Sequence, residues 1–329
     1  MEFSEQGSGS PHPLTGSSKS LNLHMSSVKN YLSLVKFSHT IFAMPFALIG
    51  FFLGVYRTTT AQWSVNRTIG WGSGATNLGW WYGLKFVLVL ICMIAARSAA
   101  MGFNRYLDRH FDAKNPRTAI REIPRGIISP ESALRFVILS CLLFIAATFF
   151  INKICFFLSP VALFVILFYS YTKRFTPLCH LVLGLGLSLA PIGAYLAVTG
   201  RFDMLPLLFS FAVICWVSGF DIIYALQDVE FDQSQKLYSI PASVGKWKAL
   251  RVSELLHLLS TAFVIAAGIY GHFHWLYWLG IAVFVGMLLY QHSIVKPDDL
   301  RRVNLAFMTA NGIASVVFGA FVIADLFFT

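Results

Sequence analysis

Asn104-Arg-Tyr-Leu-Asp108-Arg-His-Phe-Asp112 closes a long apolar run, and its oxygen-bearing side chains at Asn104, Asp108 and Asp112 recur every four residues. On a helix such spacing drifts only about 40° per step, so the three stack along one face. That face is a row of hard oxygen donors, and Mg²⁺ takes one or two carboxylates together with phosphate oxygens and water. Alone, the segment equally fits a solvated helix end whose aspartates pair with Arg105 and Arg109.

A second segment changes the balance. Asp221-Ile-Ile-Tyr224-Ala-Leu-Gln-Asp228-Val-Glu-Phe-Asp232 again follows an apolar run and again spaces two aspartates by four, with Tyr224 and Asp221 continuing the face backwards. Each acidic face is followed by Ile-Pro and a glycine, at Ile123, Pro124 and Gly126 and at Ile240, Pro241 and Gly245. The chain therefore reads as two related halves. Two facing acidic helix ends are suited to holding two metal ions around one diphosphate.

With 57% hydrophobic and 12% charged residues among its 329, the chain is far too apolar for an ordinary soluble domain. Apolar stretches long enough to cross a bilayer fall at 38–56, 80–104, 133–151, 155–171, 178–199, 205–225, 255–270, 275–295 and 305–327. The expected fold is an all-α membrane protein of nine transmembrane helices over residues 28–329. Residues 1–27 read as a disordered tail, rich in Ser, Gly and Pro, that lacks both the apolar core of a secretory signal and the arginines of a transit peptide.

Basic residues crowd alternate connections, most densely from Arg105 to Arg135 and from Lys236 to Arg251, while Arg57, Arg67, Lys153 and Arg201 are spread over the opposite side. The positive-inside rule then places the amino terminus and both acidic faces in the cytoplasm and the carboxyl terminus outside. A net charge of +10 concentrated on that face suits anionic membrane lipid and diphosphate, and no nucleic acid is required to explain it. The five cysteines lie in or beside the apolar runs without Cys-x-x-Cys spacing, which fits packing and argues against zinc or a disulfide framework.

Pro116 ends any helix after Asp112 and leaves Lys114, Arg117 and Arg121 on a loop able to fold over the acidic face. Guanidinium groups bind diphosphate oxygens bidentately. Arg97, two turns before Asn104 and inside an apolar run, must face a polar cavity or a partner. Tyr169 and Lys173 share a helix face, and Lys173 or Arg174 is within reach of a phosphate there or else merely snorkels. The stretch from Arg57 to Gly79 reads as a loop, with Trp63, Trp71, Trp80 and Trp81 as an aromatic belt, and His39 sits near a helix end.

Asn104-x-x-x-Asp108-x-x-x-Asp112, Lys114-Asn-Pro-Arg-Thr118, Tyr169 to Thr176 and Tyr224-Ala-Leu-Gln-Asp228-x-x-x-Asp232 together resemble the UbiA superfamily of intramembrane prenyltransferases, from about Lys29 to the carboxyl terminus. The Asp-Ala-Lys-Asn-Pro-Arg-Thr run is similar to the 4-hydroxybenzoate polyprenyltransferase branch. The segment from Gly219 to Asp232 also resembles a bacterial subgroup linked to menaquinone made through futalosine. Glu122 departs from the branch, which usually has proline there.

The resemblance implies Mg²⁺-dependent transfer of a polyprenyl group from polyprenyl diphosphate to a ring carbon of an aromatic hydroxy acid, in a multi-pass protein of the bacterial inner membrane serving quinone biosynthesis. A dihydroxynaphthoate acceptor of menaquinone synthesis is the alternative. Mapped onto this sequence, Asn104, Asp108 and Asp112 hold one Mg²⁺ and Asp228 and Asp232 the other. Lys114, Arg117 and Lys173 meet the diphosphate, and Tyr224 or one of the many phenylalanines faces the allyl cation; Arg121, on the same loop, and Arg97 are expected at the substrate site beside them. A transporter is the reading from another class, but it places its ionisable residues near the bilayer midplane. A phosphatidyl-alcohol transferase needs an Asp-Gly-x-x-Ala-Arg opening that this sequence lacks.

Overall fold

The computed structural model describes residues 30–35, 42–69 and 78–328. Residues 1–27, His39, Trp71 and the side chain of Trp63 lie outside what is described, as does the start of the first expected span. The main helices are α1 (Met44–Ile69), α2 (Leu78–Lys114), α3 (Pro130–Ile151), α4 (Lys153–Thr172), α5 (Cys179–Thr199), α6 (Met204–Ala225), α7 (Val229–Ser234), α8 (Ile240–Val244), α9 (Lys246–Tyr270), α10 (Trp275–Ile294) and α11 (Val303–Phe328). Among the described residues no strand forms, and eight helical segments are long and apolar enough to cross a membrane.

Two expectations about element ends need correction. Residues 57–69 continue α1 as helix, where their composition suggests a loop. They contain neither Gly nor Pro, and Thr58, Thr59 and Thr60 return their hydroxyl protons to the carbonyls of Gly54, Val55 and Tyr56, so the polar run stays compatible with a helix. The second acidic motif is not one continuous helix either: a 3₁₀ turn at Leu226–Asp228 separates α6 from α7.

Helix α6 lies at the centre, packed between α5 and α9, with Phe209 and Trp216 fully enclosed. The Trp216 indole donates to Asn311 Oδ1 at 3.0 Å, and Asn311 also accepts from Gln291 at 2.7 Å. The Asn311 amide in turn donates to the carbonyls of Ala306 and Phe307, within the π-helical turn Ala306–Ala310 of α11. A buried indole and two buried carboxamides are thereby brought into one hydrogen-bonded cluster. Outward-facing Leu139, Leu142, Phe149, Phe150, Phe157 and Phe164 on α3 and α4 are exposed, as lipid contact requires.

Small residues set the helix separations. A Cβ on Gly50 would sit 2.0 Å from the Pro191 carbonyl oxygen, and one on Gly184 2.6 Å from that of Ile214, so α1 and α6 press directly onto α5. Lys85, buried within α2, donates to the Ala197 carbonyl at 2.6 Å and lies over the Trp81 ring, which ties it to the end of α5. The five cysteines are all free thiols.

Gly126 and Gly245, each beyond its acidic segment, both take positive φ, +70° and +82°. In the first connection the Glu122 carbonyl accepts from Ile127 and Ile128, as a proline carbonyl there also could, while its carboxylate accepts from Ser33, a contact that the proline expected from the resemblance could not make.

Candidate active site

Helix α2 runs unbroken to Lys114, so Asn104, Asp108 and Asp112 do form one face, and the Asn104 amide donates to Asp108 Oδ2 at 3.1 Å. After Pro116 the chain turns back, as expected. Thr118 donates to the Asp112 carbonyl at 3.0 Å, which brings Arg117 and Arg121 over the helix end. On the other side of the chamber, the 3₁₀ turn and α7 present Asp228 and Asp232 towards the same space.

Each aspartate has its own cation, and none of the four cations is the Arg105 or Arg109 of the solvated-helix reading. Arg121 lies 2.5 Å from Asp112, Arg174 3.3 Å from Asp108, Lys173 2.7 Å from Asp232, and Arg117 2.5 Å from Asp228. Arg117 is bidentate, its Nε donating to Asp228 Oδ1 at 3.0 Å, while a third N–H reaches the Tyr224 hydroxyl at 2.9 Å. Asn115 adds a hydrogen bond to Asp228 at 3.2 Å, and Ser239 one to Asp232 at 3.0 Å. Arg109 instead donates to its own helix, at the Tyr106 carbonyl.

These contacts govern the protonation of the loop cations. Burial works against the Lys173 ammonium, but Asp232 and Asp228 outweigh it and hold the group above its ordinary value. Arg117 is held up the same way, burial being overcome by the Asp228 carboxylate and the Tyr224 oxygen.

The side chains enclose a cavity of about 180 Å³ lined by Asn104, Asp108, Asp112, Arg117, Arg121, Lys173, Tyr224, Asp228 and Asp232. Two residues expected in it are elsewhere. Lys114, on the last turn of α2, reaches across to Gln235 Oε1 at 3.4 Å and so bridges the two loops outside the cavity wall. Arg97 lines a separate apolar cavity of about 400 Å³ between α2, α3, α4 and α5, deeper along α2. Tyr169 belongs to both walls. Asn115, Ser239 and His180 join the site without having been expected from the sequence. The first two lie beside the motifs but carry no charge to attract notice, and His180 reaches the cavity only through the crossing of α5 and α6.

All donors at the two acidic faces are oxygens, the chemistry Mg²⁺ selects. Asp112 Oδ2 is buried and accepts no hydrogen bond among the described residues, leaving a carboxylate oxygen available to a cation. No three His, Cys, Asp or Glu side chains among the described residues converge tightly enough to enclose a metal alone. A cation held here must complete its shell from ligand oxygens and water.

The model of the UbiA prenyltransferase family matches residues 65–313. The chain belongs to the UbiA prenyltransferase family. It is 30% identical over 243 residues, 73% of this chain and 81% of the relative, to the 4-hydroxybenzoate octaprenyltransferase of Nitrosospira multiformis. A UbiA homolog from Aeropyrum pernix K1, solved in the apo state, superposes with a TM-score of 0.73 at 29% identity, covering 87% of this chain and 98% of that one. A UbiA homolog from Archaeoglobus fulgidus, bound to DMAPP and Mg²⁺, shares the fold at a TM-score of 0.65 and 19% identity, over 91% and 100% of the two chains. This UbiA protein is thus a multi-pass membrane prenyltransferase, and the phosphatidyl-alcohol and transporter readings fall away.

Proposed function

We propose that this UbiA protein transfers a polyprenyl group from its diphosphate to a carbon of an aromatic hydroxy acid of the 4-hydroxybenzoate kind, with Mg²⁺, in isoprenoid quinone biosynthesis at the bacterial inner membrane. The observation that carries the reading is the convergence of four aspartates and four cations on one small chamber beside a large apolar cavity. Diphosphate is an anion of matching size, and the apolar cavity suits its isoprenoid tail.

Asn104, Asp108 and Asp112 on one side, with Asp228 and Asp232 on the other, are the residues that would hold Mg²⁺. When bound, it supplies Lewis-acid stabilisation of the departing diphosphate. Arg117, Arg121 and Lys173, released from their carboxylates, bind the phosphate oxygens. Lys114 closes the loop above them. Their charge stabilises the leaving group as the allylic C–O bond ionises. Tyr224, packed on Phe307 with ring centroids 4.3 Å apart, presents an electron-rich face to the allyl cation.

Arg97 is the only charged side chain lining the apolar cavity among the described residues, and we assign it to the acceptor carboxylate. The tail stays in hydrocarbon throughout, since drawing it through water costs about 0.8 kcal/mol per methylene. The basic connections support a cytoplasmic position for the chamber.

Membranes containing the protein, supplied with Mg²⁺, several prenyl diphosphates, and either 4-hydroxybenzoate or dihydroxynaphthoates, test the reading by mass spectrometry. A ring-prenylated product is expected, and the acceptor consumed decides between the ubiquinone and menaquinone branches. Absence of product from every combination contradicts it.

A further inference from the structure

A buried histidine, His180, and a half-buried carboxylate, Asp221, form a pair that the diphosphate chemistry does not use. His180, on the first turn of α5, is 3% exposed, and its Nδ1 lies 2.7 Å from Asp221 Oδ2 on α6. The backbone N–H of Ile240 donates to His180 Nε2 at 3.4 Å, so the proton of the ring sits on Nδ1 and points at the carboxylate. Both side chains line the polar chamber, next to Tyr169, which also borders the apolar cavity. Asp221 Oδ1 accepts no hydrogen bond among the described residues, and no arginine or lysine there pairs with this carboxylate. It sits seven residues before Asp228, about 10 Å deeper along the helix axis.

That depth exceeds the breadth of an aromatic ring and so separates Asp221 from the diphosphate bound at Asp228. Resting on the function proposed above, we propose that Asp221 receives the hydroxyl of the aromatic acceptor and takes its proton during attack, and that His180 is the positioning residue that holds it. As a ring carbon ortho to the hydroxyl bonds to the allylic carbon, the allylic C–O bond breaks and its electron pair leaves with the diphosphate. The hydroxyl proton passes to Asp221, which leaves a cyclohexadienone. The hydrogen on the attacked carbon then departs as a proton to the released diphosphate, and Asp221 returns its proton to the ring oxygen. No oxidant or reductant is needed.

His180 also links this base to the second acidic face. Ile240, which fixes its ring, follows Ser239, the donor to Asp232. Through Ser239 and Ile240 the second acidic face is thus coupled to the imidazole, and through it to the carboxylate.

The test uses the full-length protein in detergent, with the hydroxyaromatic acid that the wild type prenylates and the O-methyl ether of the same acid. A positioned general base contributes roughly a hundredfold or more. Wild type is expected to prefer the free hydroxyl by about that factor. Asp221→Asn should lower kcat to a similar extent, erase the preference for hydroxyl over methoxy, and leave KM for the prenyl diphosphate unchanged. His180→Gln keeps a donor towards Asp221 and an acceptor for Ile240, and should retain most activity, whereas His180→Leu should fall as far as Asp221→Asn. Retention of the hydroxyl preference in Asp221→Asn, or equal loss in His180→Gln and His180→Leu, overturns the proposal. The comparison of the two His180 variants decides the matter even if Asp221→Asn does not fold. Absence of prenylation by the wild type refutes the proposed function instead, so the two failures are distinguishable.

Discussion

Lys173 and Arg174, adjacent in the chain, part to opposite walls of the chamber: the lysine Nζ lies 2.7 Å from Asp232 and the arginine NH2 3.3 Å from Asp108. The end of α4 thus neutralises one aspartate from each acidic face. Arg174 is anchored further by the Leu107 carbonyl at 3.0 Å, whereas Lys173 makes its contact through a flexible ammonium. Lys173 is therefore the one free to move onto a phosphate. Lys173→Met should raise KM for prenyl diphosphate by roughly tenfold or more, as expected on losing a charge-assisted contact. Arg174→Met should instead lower activity while leaving KM for prenyl diphosphate near the wild-type value. Steady-state kinetics of the solubilised protein separates the two, and an unchanged KM in Lys173→Met contradicts the assignment.

Arg117 makes a planar, three-pronged contact with Asp228 and Tyr224 that an ammonium does not reproduce. Arg117→Lys is expected to lose about tenfold or more in kcat/KM although charge is conserved. A wild-type value would show that only charge matters at this position.

The folded-state value of Lys173 lies above its ordinary one, so the sign of its linkage is fixed. Its pairing contributes stability that is fully present below the unfolded lysine value near 10.4 and is lost as pH rises through the higher folded value. Wild type and Lys173→Met should therefore differ in melting temperature by a constant amount from about pH 7 to about pH 9, and converge only in stronger alkali. A gap that closes below about pH 9 contradicts the pairing.

Gly50 has the Pro191 carbonyl where a side chain would begin. Gly50→Ala must push α1 off α5, and is expected to cost about 1–3 kcal/mol, the usual range for overpacking. Unfolding of the solubilised variant measures it, and wild-type stability would mean that the two helices do not approach as described.

Much of the site is legible in the sequence because its chemistry repeats with a helical period. Four-residue spacing of Asp108, Asp112, Asp228 and Asp232 is a one-dimensional signal of a shared face, and Pro116 marks where the chain turns back. Spacing carries no information about which cation meets which carboxylate. The pairs Arg117–Asp228 and Arg174–Asp108 join residues 111 and 66 positions apart, and exist only because α2, α4 and α6 end at one level. His180 escapes a reading of the sequence for the same reason. The threonines after Tyr56 mislead because polar composition suggests a loop, while hydroxyl back-bonding sustains the helix.

The central claim is that both acidic faces hold Mg²⁺ for a diphosphate. Titration of a non-hydrolysable prenyl diphosphate into the solubilised protein, followed by calorimetry with and without Mg²⁺, tests it without relying on turnover. Wild type should bind at least about tenfold more tightly with Mg²⁺, a gain of roughly 1.4 kcal/mol, and Asp108→Asn and Asp228→Asn should each lose most of that gain. Binding that ignores Mg²⁺ in the wild type, or a full Mg²⁺ gain in both variants, would contradict the account.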